Sequence, residues 1–222
     1  MTPAAPTVFI VDDDESVRTS LRRLVRSLGY HASAFADAHS FLQSRRSEGP
    51  GCVILDVELP DLNGLEVQRE LSALGSLMPI VFLTGRGDIP TSVRAMKAGA
   101  MEFLTKPFQP EQLAQAIRAA LEADARLRRE RDDLAELRLR YESLTARERE
   151  VMAGVVAGLL NKQIAAELGK TEATVKEQRA HVMSKMRASS LADLVRFATR
   201  LGIVMEAAPT LPKSGAPASA GG

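Results

Sequence analysis

The chain has 222 residues, 45% of them apolar, which allows one large or two small domains. Its single cysteine, Cys52, rules out an internal disulfide and fits a reducing compartment. No apolar run approaches the roughly 20 residues of a membrane span, and Met1 to Pro6 lacks the basic start and apolar core of a secretion signal, so the expectation is a cytoplasmic protein without a membrane partner.

Net charge is +1, but residues 1–121 carry −2, residues 122–143 carry −1 and residues 144–222 carry +4. A positive excess confined to the C-terminal part hints at an anionic partner there.

Up to about Leu121 the pattern alternates. Strand-like apolar runs lie at Val8–Val11, His31–Phe35, Cys52–Asp56, Ile80–Thr84 and Glu102–Thr105. Helical spacings lie between them, such as Val17, Leu21, Leu24, Val25 and Leu28, and later Leu113, Ile117 and Leu121. This alternation predicts crossover units and a parallel sheet covered on both faces. Residues 122–143 contain no Gly or Pro and read as a long exposed helix. Thr145-Ala146-Arg147-Glu148 is a capping box. Four helices are expected after it: Ala146–Ala157, Asn161–Leu168 with Asn161 as N-cap, a third capped by Thr171 after the Gly169-Lys170 turn, and Leu191–Thr199. A short helix, a turn with Gly and a longer helix match a helix-turn-helix. The Ala, Pro, Gly and Ser tail from about Glu206 is expected to be disordered.

The chemistry gathers at strand ends. Val53-Ile54-Leu55 ends in Asp56, followed at once by the turn residues Pro60, Asp61, Asn63 and Gly64. The first strand ends in Asp12-Asp13-Asp14, and the fifth in Lys106-Pro107. Open α/β sheets place their sites at the carboxyl ends of strands. Clustered carboxylates suit a hard cation such as Mg²⁺, and a lysine supplies a point charge for a phosphoryl oxygen. Asp56 is then a nucleophile for an aspartyl-phosphate. Thr84 ends the fourth strand, where its hydroxyl can donate to that phosphoryl group. Asp14 and Glu15 fit a helix-capping role better than a ligand role. Glu58 and Arg86, each two residues past a strand-end site residue, are expected to pair across the pocket mouth.

These residues carry a resemblance. Val11-Asp12-Asp13, Asp56 with Pro60 and Gly64, Thr84-Gly85, Ala98-Gly99-Ala100 and Lys106-Pro107-Phe108 resemble the receiver domain of bacterial two-component response regulators. The stretches Phe82–Pro90 and Ala95–Ala100 are close to the FixJ-like subgroup. The resemblance implies a flavodoxin-like domain with five parallel strands in the order 2-1-3-4-5. It implies Asp56 as acceptor of a phosphoryl group from a sensor histidine kinase, with Lys106 and Thr84 assisting. Mg²⁺ would be held by Asp12, Asp13, Asp56 and the backbone carbonyl of Glu58. Thr84 and Phe103 would form the switch pair, and the peptide before Pro107 is usually cis. The protein would catalyse only its own phosphoryl transfer and dephosphorylation.

The C-terminal stretches Leu144–Val151, Asn161–Ala165, Thr174-Val175-Lys176 and Val182-Met183 resemble the NarL/LuxR-type DNA-binding domain. In the third helix Val175, Val182 and Met186 form an apolar stripe. The opposite face carries Ala173, Lys176, Glu177, Ala180 and Ser184 and is expected to meet the major groove of promoter DNA. Candidate contacts are Lys176 to guanine or phosphate, Glu177 to a cytosine amino group and Ala180 to a thymine methyl. Lys162 and Lys185 are candidates for phosphate, and Thr174 is a further candidate for DNA contact. Relatives often have His where this chain has Gln178. RNA polymerase is a further partner of such regulators.

The expected organisation is a receiver over 1–121, a linker helix over 122–143, a helix-turn-helix domain over 144–205 and a tail over 206–222. A heptad along the linker places Ala120, Leu127, Leu134 and Tyr141 at one core position and Ala123, Glu130, Leu137 and Leu144 at the other. That pattern predicts a parallel coiled coil and a homodimer, with Glu130 as its flaw. Two rival readings stand beside this one: a phosphohydrolase or phosphotransferase with an Asp nucleophile, and a C-terminal module that binds protein rather than DNA.

Overall fold

The computed structural model describes residues 5–44, 49–85 and 89–203; the expected tail from Glu206 lies outside them. Contacts divide the chain into two units, one ending at Glu130 and the other beginning at Arg131. Among the described residues no helix is long and apolar enough to cross a membrane.

The first unit runs β1 (Thr7–Val11), α1 (Glu15–Ser27), β2 (His31–Phe35), α2 (Ala38–Gln43), β3 (Gly51–Asp56), α3 (Gly64–Ala73), β4 (Ile80–Thr84), α4 (Ile89–Lys97) and β5 (Glu102–Thr105), and then into α5 (Pro110–Glu142). Every strand pair is parallel, in the order β2-β1-β3-β4-β5. Strands β1, β3 and β4 are buried along their whole length, which is why they read as continuous apolar runs. The two-residue strand period sorts their side chains to opposite faces. Phe9, Val11, Leu55 and Phe82 pack with Phe41, Val67 and Leu71 on one face. Val8, Ile10, Ile54 and Leu83 pack with Leu21, Val25, Leu113 and Ile117 on the other. Cys52 belongs to that second layer, and burial pushes its thiol up to about 12.

Helix α5 continues without a break through residue 121. Past that point it is not simply exposed. The buried carboxylate of Asp124 accepts from the backbone N–H of Gly51 at 2.8 Å and from Arg128 Nε at 2.6 Å. The heptad expected along this helix also needs correcting. Ala120 is part of the first unit's core, while Leu137 and Leu144 are buried in the second unit's core and Tyr141 packs against it. A coiled coil needs its core positions free for the partner helix along its length. Here the chain's own domains take both ends of the stripe, leaving Ala123, Leu127, Glu130 and Leu134.

The second unit adds α6 (Ala146–Val156), α7 (Asn161–Leu168), α8 (Glu172–Met186) and α9 (Leu191–Arg200). The capping box closes as expected: Thr145 Oγ1 accepts from the Glu148 N–H at 3.2 Å, and Glu148 Oε2 accepts from the Thr145 N–H at 2.8 Å. Helices α6 and α7 cross closely, since a Cβ on Gly154 would stand 2.8 Å from Ile164 Cγ1. Gly169 ends α7 at φ +63°, a left-handed position that suits glycine. Asn161 is not the N-cap of α7. Leu160 holds that position and its N–H is met by Gln163 Oε1 at 2.8 Å. The Asn161 amide is drawn instead to α8, where it accepts from Arg179 Nη1 at 3.1 Å.

Candidate phosphoacceptor site and nucleic-acid interface

Strand register builds the acidic edge. Val11 pairs with Leu55 and Asp56 with Leu83, so Asp12, Asp56 and Thr84 reach the same carboxyl edge of the sheet. Lys106 follows β5, with its backbone N–H on the Thr84 carbonyl at 2.7 Å and a cis bond to Pro107. Its Nζ donates to Asp12 Oδ2 at 2.7 Å and to Asp56 Oδ2 at 2.5 Å.

Both carboxylates are buried. Burial raises the Asp12 carboxyl above its ordinary value, against the lowering effect of Lys106 and of the Asp14 N–H that it accepts at 2.9 Å. Burial pulls Lys106 down, but the hydrogen bonds and charges of Asp12 and Asp56 outweigh it and hold the ammonium above its ordinary value. Asp13 is exposed beside them, and oxygens of Asp12, Asp13 and Asp56 all lie within 4.8 Å of one another. Three converging carboxylates against one ammonium leave excess negative charge, and an all-oxygen donor set of this kind fits Mg²⁺. Asp14 is a cap, accepting from Ser16 N–H at 2.7 Å and Val17 N–H at 3.3 Å.

Thr84 is buried at the end of β4. The half-buried Phe103 ring lies 6.2 Å from that of Phe82. The Glu58 side chain is exposed, while its backbone N–H donates to Asp56 Oδ1 at 3.0 Å. Arg86, its expected partner, lies outside the described residues. Two supports escaped the sequence reading. Arg18 Nη1 donates to the Asp12 carbonyl at 2.7 Å, and nothing in the spacing distinguishes it from the other arginines of α1. Asp61 accepts from the N–H groups of Ala38 and His39 at 3.2 and 3.0 Å and contacts His39 Nδ1 at 2.8 Å. Burial opposes its ionisation, but those bonds win and hold its carboxyl well below the usual range.

In the second unit Val175, Val182 and Met186 are fully buried, and Ala173, Lys176, Glu177, Ala180 and Ser184 are exposed. Lys162 is exposed on α7. The Thr174 hydroxyl is 2.9 Å from that of Thr171. Lys185 is turned to α6, where its Nζ donates to Glu148 Oε2 at 2.7 Å. Gln178 accepts from Lys170 Nζ at 3.0 Å, so the residue that departs from the usual His braces the turn before its own helix.

Residues 8–118 match the response regulator receiver domain, and residues 142–198 match the luxR family of bacterial regulatory proteins. The chain therefore belongs to the two-component response regulators that pair a receiver with a LuxR-type helix-turn-helix, and it is a transcription regulator. Nodulation protein W of Bradyrhizobium diazoefficiens is 51% identical over 88% of this chain and 86% of its own. The transcriptional regulatory protein FixJ of Azorhizobium caulinodans is 41% identical over 94% of this chain and 100% of its own. The solved structure of the response regulator StyR superposes with TM-score 0.82 at 48% identity, covering 89% of this chain and 100% of that one.

Proposed function

We propose that Asp56 accepts a phosphoryl group from a sensor histidine kinase and that its phosphorylation controls how the C-terminal domain binds promoter DNA and meets RNA polymerase. The observation that carries this is the salt bridge of Asp56 to Lys106 beside Asp12 and Asp13. In the transfer an Asp56 carboxylate oxygen attacks phosphorus, the phosphorus–nitrogen bond to the donor imidazole breaks, and the imidazole leaves with the bonding pair. Lys106, already at the carboxylate, neutralises charge on the incoming group, and the Thr84 hydroxyl donates to it. Asp12, Asp13, Asp56 and the Glu58 carbonyl would hold Mg²⁺, which when bound offsets the negative charge of phosphate and pocket. The same groups support transfer from small phosphodonors and hydrolysis of the acyl phosphate. Thr84 at the end of β4 and Phe103 on β5 relay the change across that edge of the sheet. The test is labelling with a small phosphodonor plus Mg²⁺: wild type takes up the label and Asp56→Asn does not. Equal labelling of the two sinks the assignment.

The exposed face of α8 with Lys176, Glu177 and Ala180 enters the major groove, and Lys162 meets the phosphate backbone. Thr174 stands at the same end of the helix. Lys185 steadies α8 against α6 rather than serving as a phosphate contact. The protein acts in the cytoplasm as a homodimer, with Leu127, Glu130 and Leu134 as the part of α5 left for contact between copies.

A further inference from the structure

We propose that Glu177 is the specificity-determining acceptor of the recognition helix and that it selects a cytosine in the operator. This rests on the reading of α8 as the helix in the major groove. The observation is how little of α8 is left to read bases. Gln178 is held by Lys170, Arg179 by Asn161, Lys185 by Glu148 and Arg187 by Glu136. Each of these contacts lies within the second unit, and Arg187 stands at the C-cap just past the helix. Of the residues opposite the buried Val175, Val182 and Met186, two are alanines, Ala173 and Ala180, and Ser184 carries a hydroxyl that both donates and accepts and so discriminates little between bases. The charged side chains there are Lys176 and Glu177, both exposed, and among the described residues neither makes a hydrogen bond or an ion pair.

A carboxylate brought among phosphates is repelled by them, and it sheds water on entering the groove. Only a hydrogen-bond donor on a base edge offsets that cost. A carboxylate has acceptors alone. In the major groove, guanine and thymine present acceptors to it, and thymine adds a methyl group. Adenine presents its N6 amino donor beside the N7 acceptor, which repels the second carboxylate oxygen. Cytosine presents the N4 amino donor without that acceptor. Glu177 therefore favours cytosine, and its effect is chiefly exclusion of the other bases.

The test uses the full chain and a randomised double-stranded DNA library, comparing sequences bound by wild type, E177A and E177Q. Wild type enriches a cytosine at one position of each half-site and binds other bases there roughly ten- to hundredfold more weakly. E177A binds with no preference at that position and keeps its preferences elsewhere. E177Q shifts the preference to adenine, since an amide pairs with both N6 and N7. Base frequencies that are the same at every position for wild type and E177A overturn the inference while leaving DNA binding intact. A wild-type protein that enriches no sequence overturns the DNA-binding reading and this inference with it.

Discussion

Gly64 lies so close to Asp56 that a Cβ on it would stand 2.6 Å from the Asp56 carbonyl oxygen, 3.0 Å from Val57 Cα and 3.1 Å from the Phe82 ring. Helix α3 starts in contact with the end of β3, and the Gly64 N–H donates to the Val57 carbonyl at 2.9 Å. Two of the three obstacles are backbone, which cannot move aside as a side-chain end can. Gly64→Ala should cost about 1–3 kcal/mol in denaturant unfolding. It should also slow labelling by a small phosphodonor, because the shifted strand end carries the acceptor. Unchanged stability and an unchanged labelling rate would rule out close packing here as a determinant of the site.

Asp124 anchors α5 to the start of β3. Asp124→Ala leaves the buried Gly51 N–H without its acceptor, and the expected loss is about 1–3 kcal/mol. Asp124→Asn keeps an acceptor oxygen and should lose less. Equal losses for the two variants would mean that the hydrogen bond is not what matters.

Glu148 gives the second unit a pH dependence. The Lys185 hydrogen bond, followed by that from the Thr145 N–H, holds its carboxyl below the ordinary value of 4.5. A carboxyl depressed on folding stabilises the fold above its unfolded-state value, and that contribution is lost as pH falls through the folded value. Wild type should therefore lose stability on acidification below about 4.5, and Glu148→Gln should lack this part of the decline. At neutral pH the variant should be less stable by about 1 kcal/mol, because its amide oxygen still accepts but without the charge that strengthens both bonds. Parallel stability–pH curves for the two proteins would remove Glu148 as the titrating group.

Self-association through α5 has a test in both directions. Glu130 and Leu134 are on the remaining stripe, Glu130 exposed and Leu134 half-buried. Glu130→Leu should tighten the dimer and Leu134→Asp should weaken it, as read by sedimentation of the full chain. Leu137 is unsuitable for this purpose, since an acid there would disrupt the second unit's own core. Identical behaviour of wild type and both variants would place the dimer contact elsewhere.

Local rules made most of the architecture legible in the order of residues. Apolar runs closed by Asp12, Asp56, Thr84 and Lys106 mark parallel strands and the edge where their ends meet, because strand direction alone sends those ends to one side. Thr145 with Glu148, and Thr171 before α8, mark helix starts through contacts within four residues. The burial of Val175, Val182 and Met186 follows from helical spacing. What only the tertiary structure decided are contacts between groups far apart in the chain. Lys106 reaches Asp12 across 94 positions and Asp124 reaches Gly51 across 73, and no periodicity encodes such pairs. The heptad in α5 shows the same limit. An apolar stripe records that a face is to be buried, without naming its partner. Here the cores of the two units claim Ala120, Leu137 and Leu144, and that choice is made by elements far from α5 in the chain.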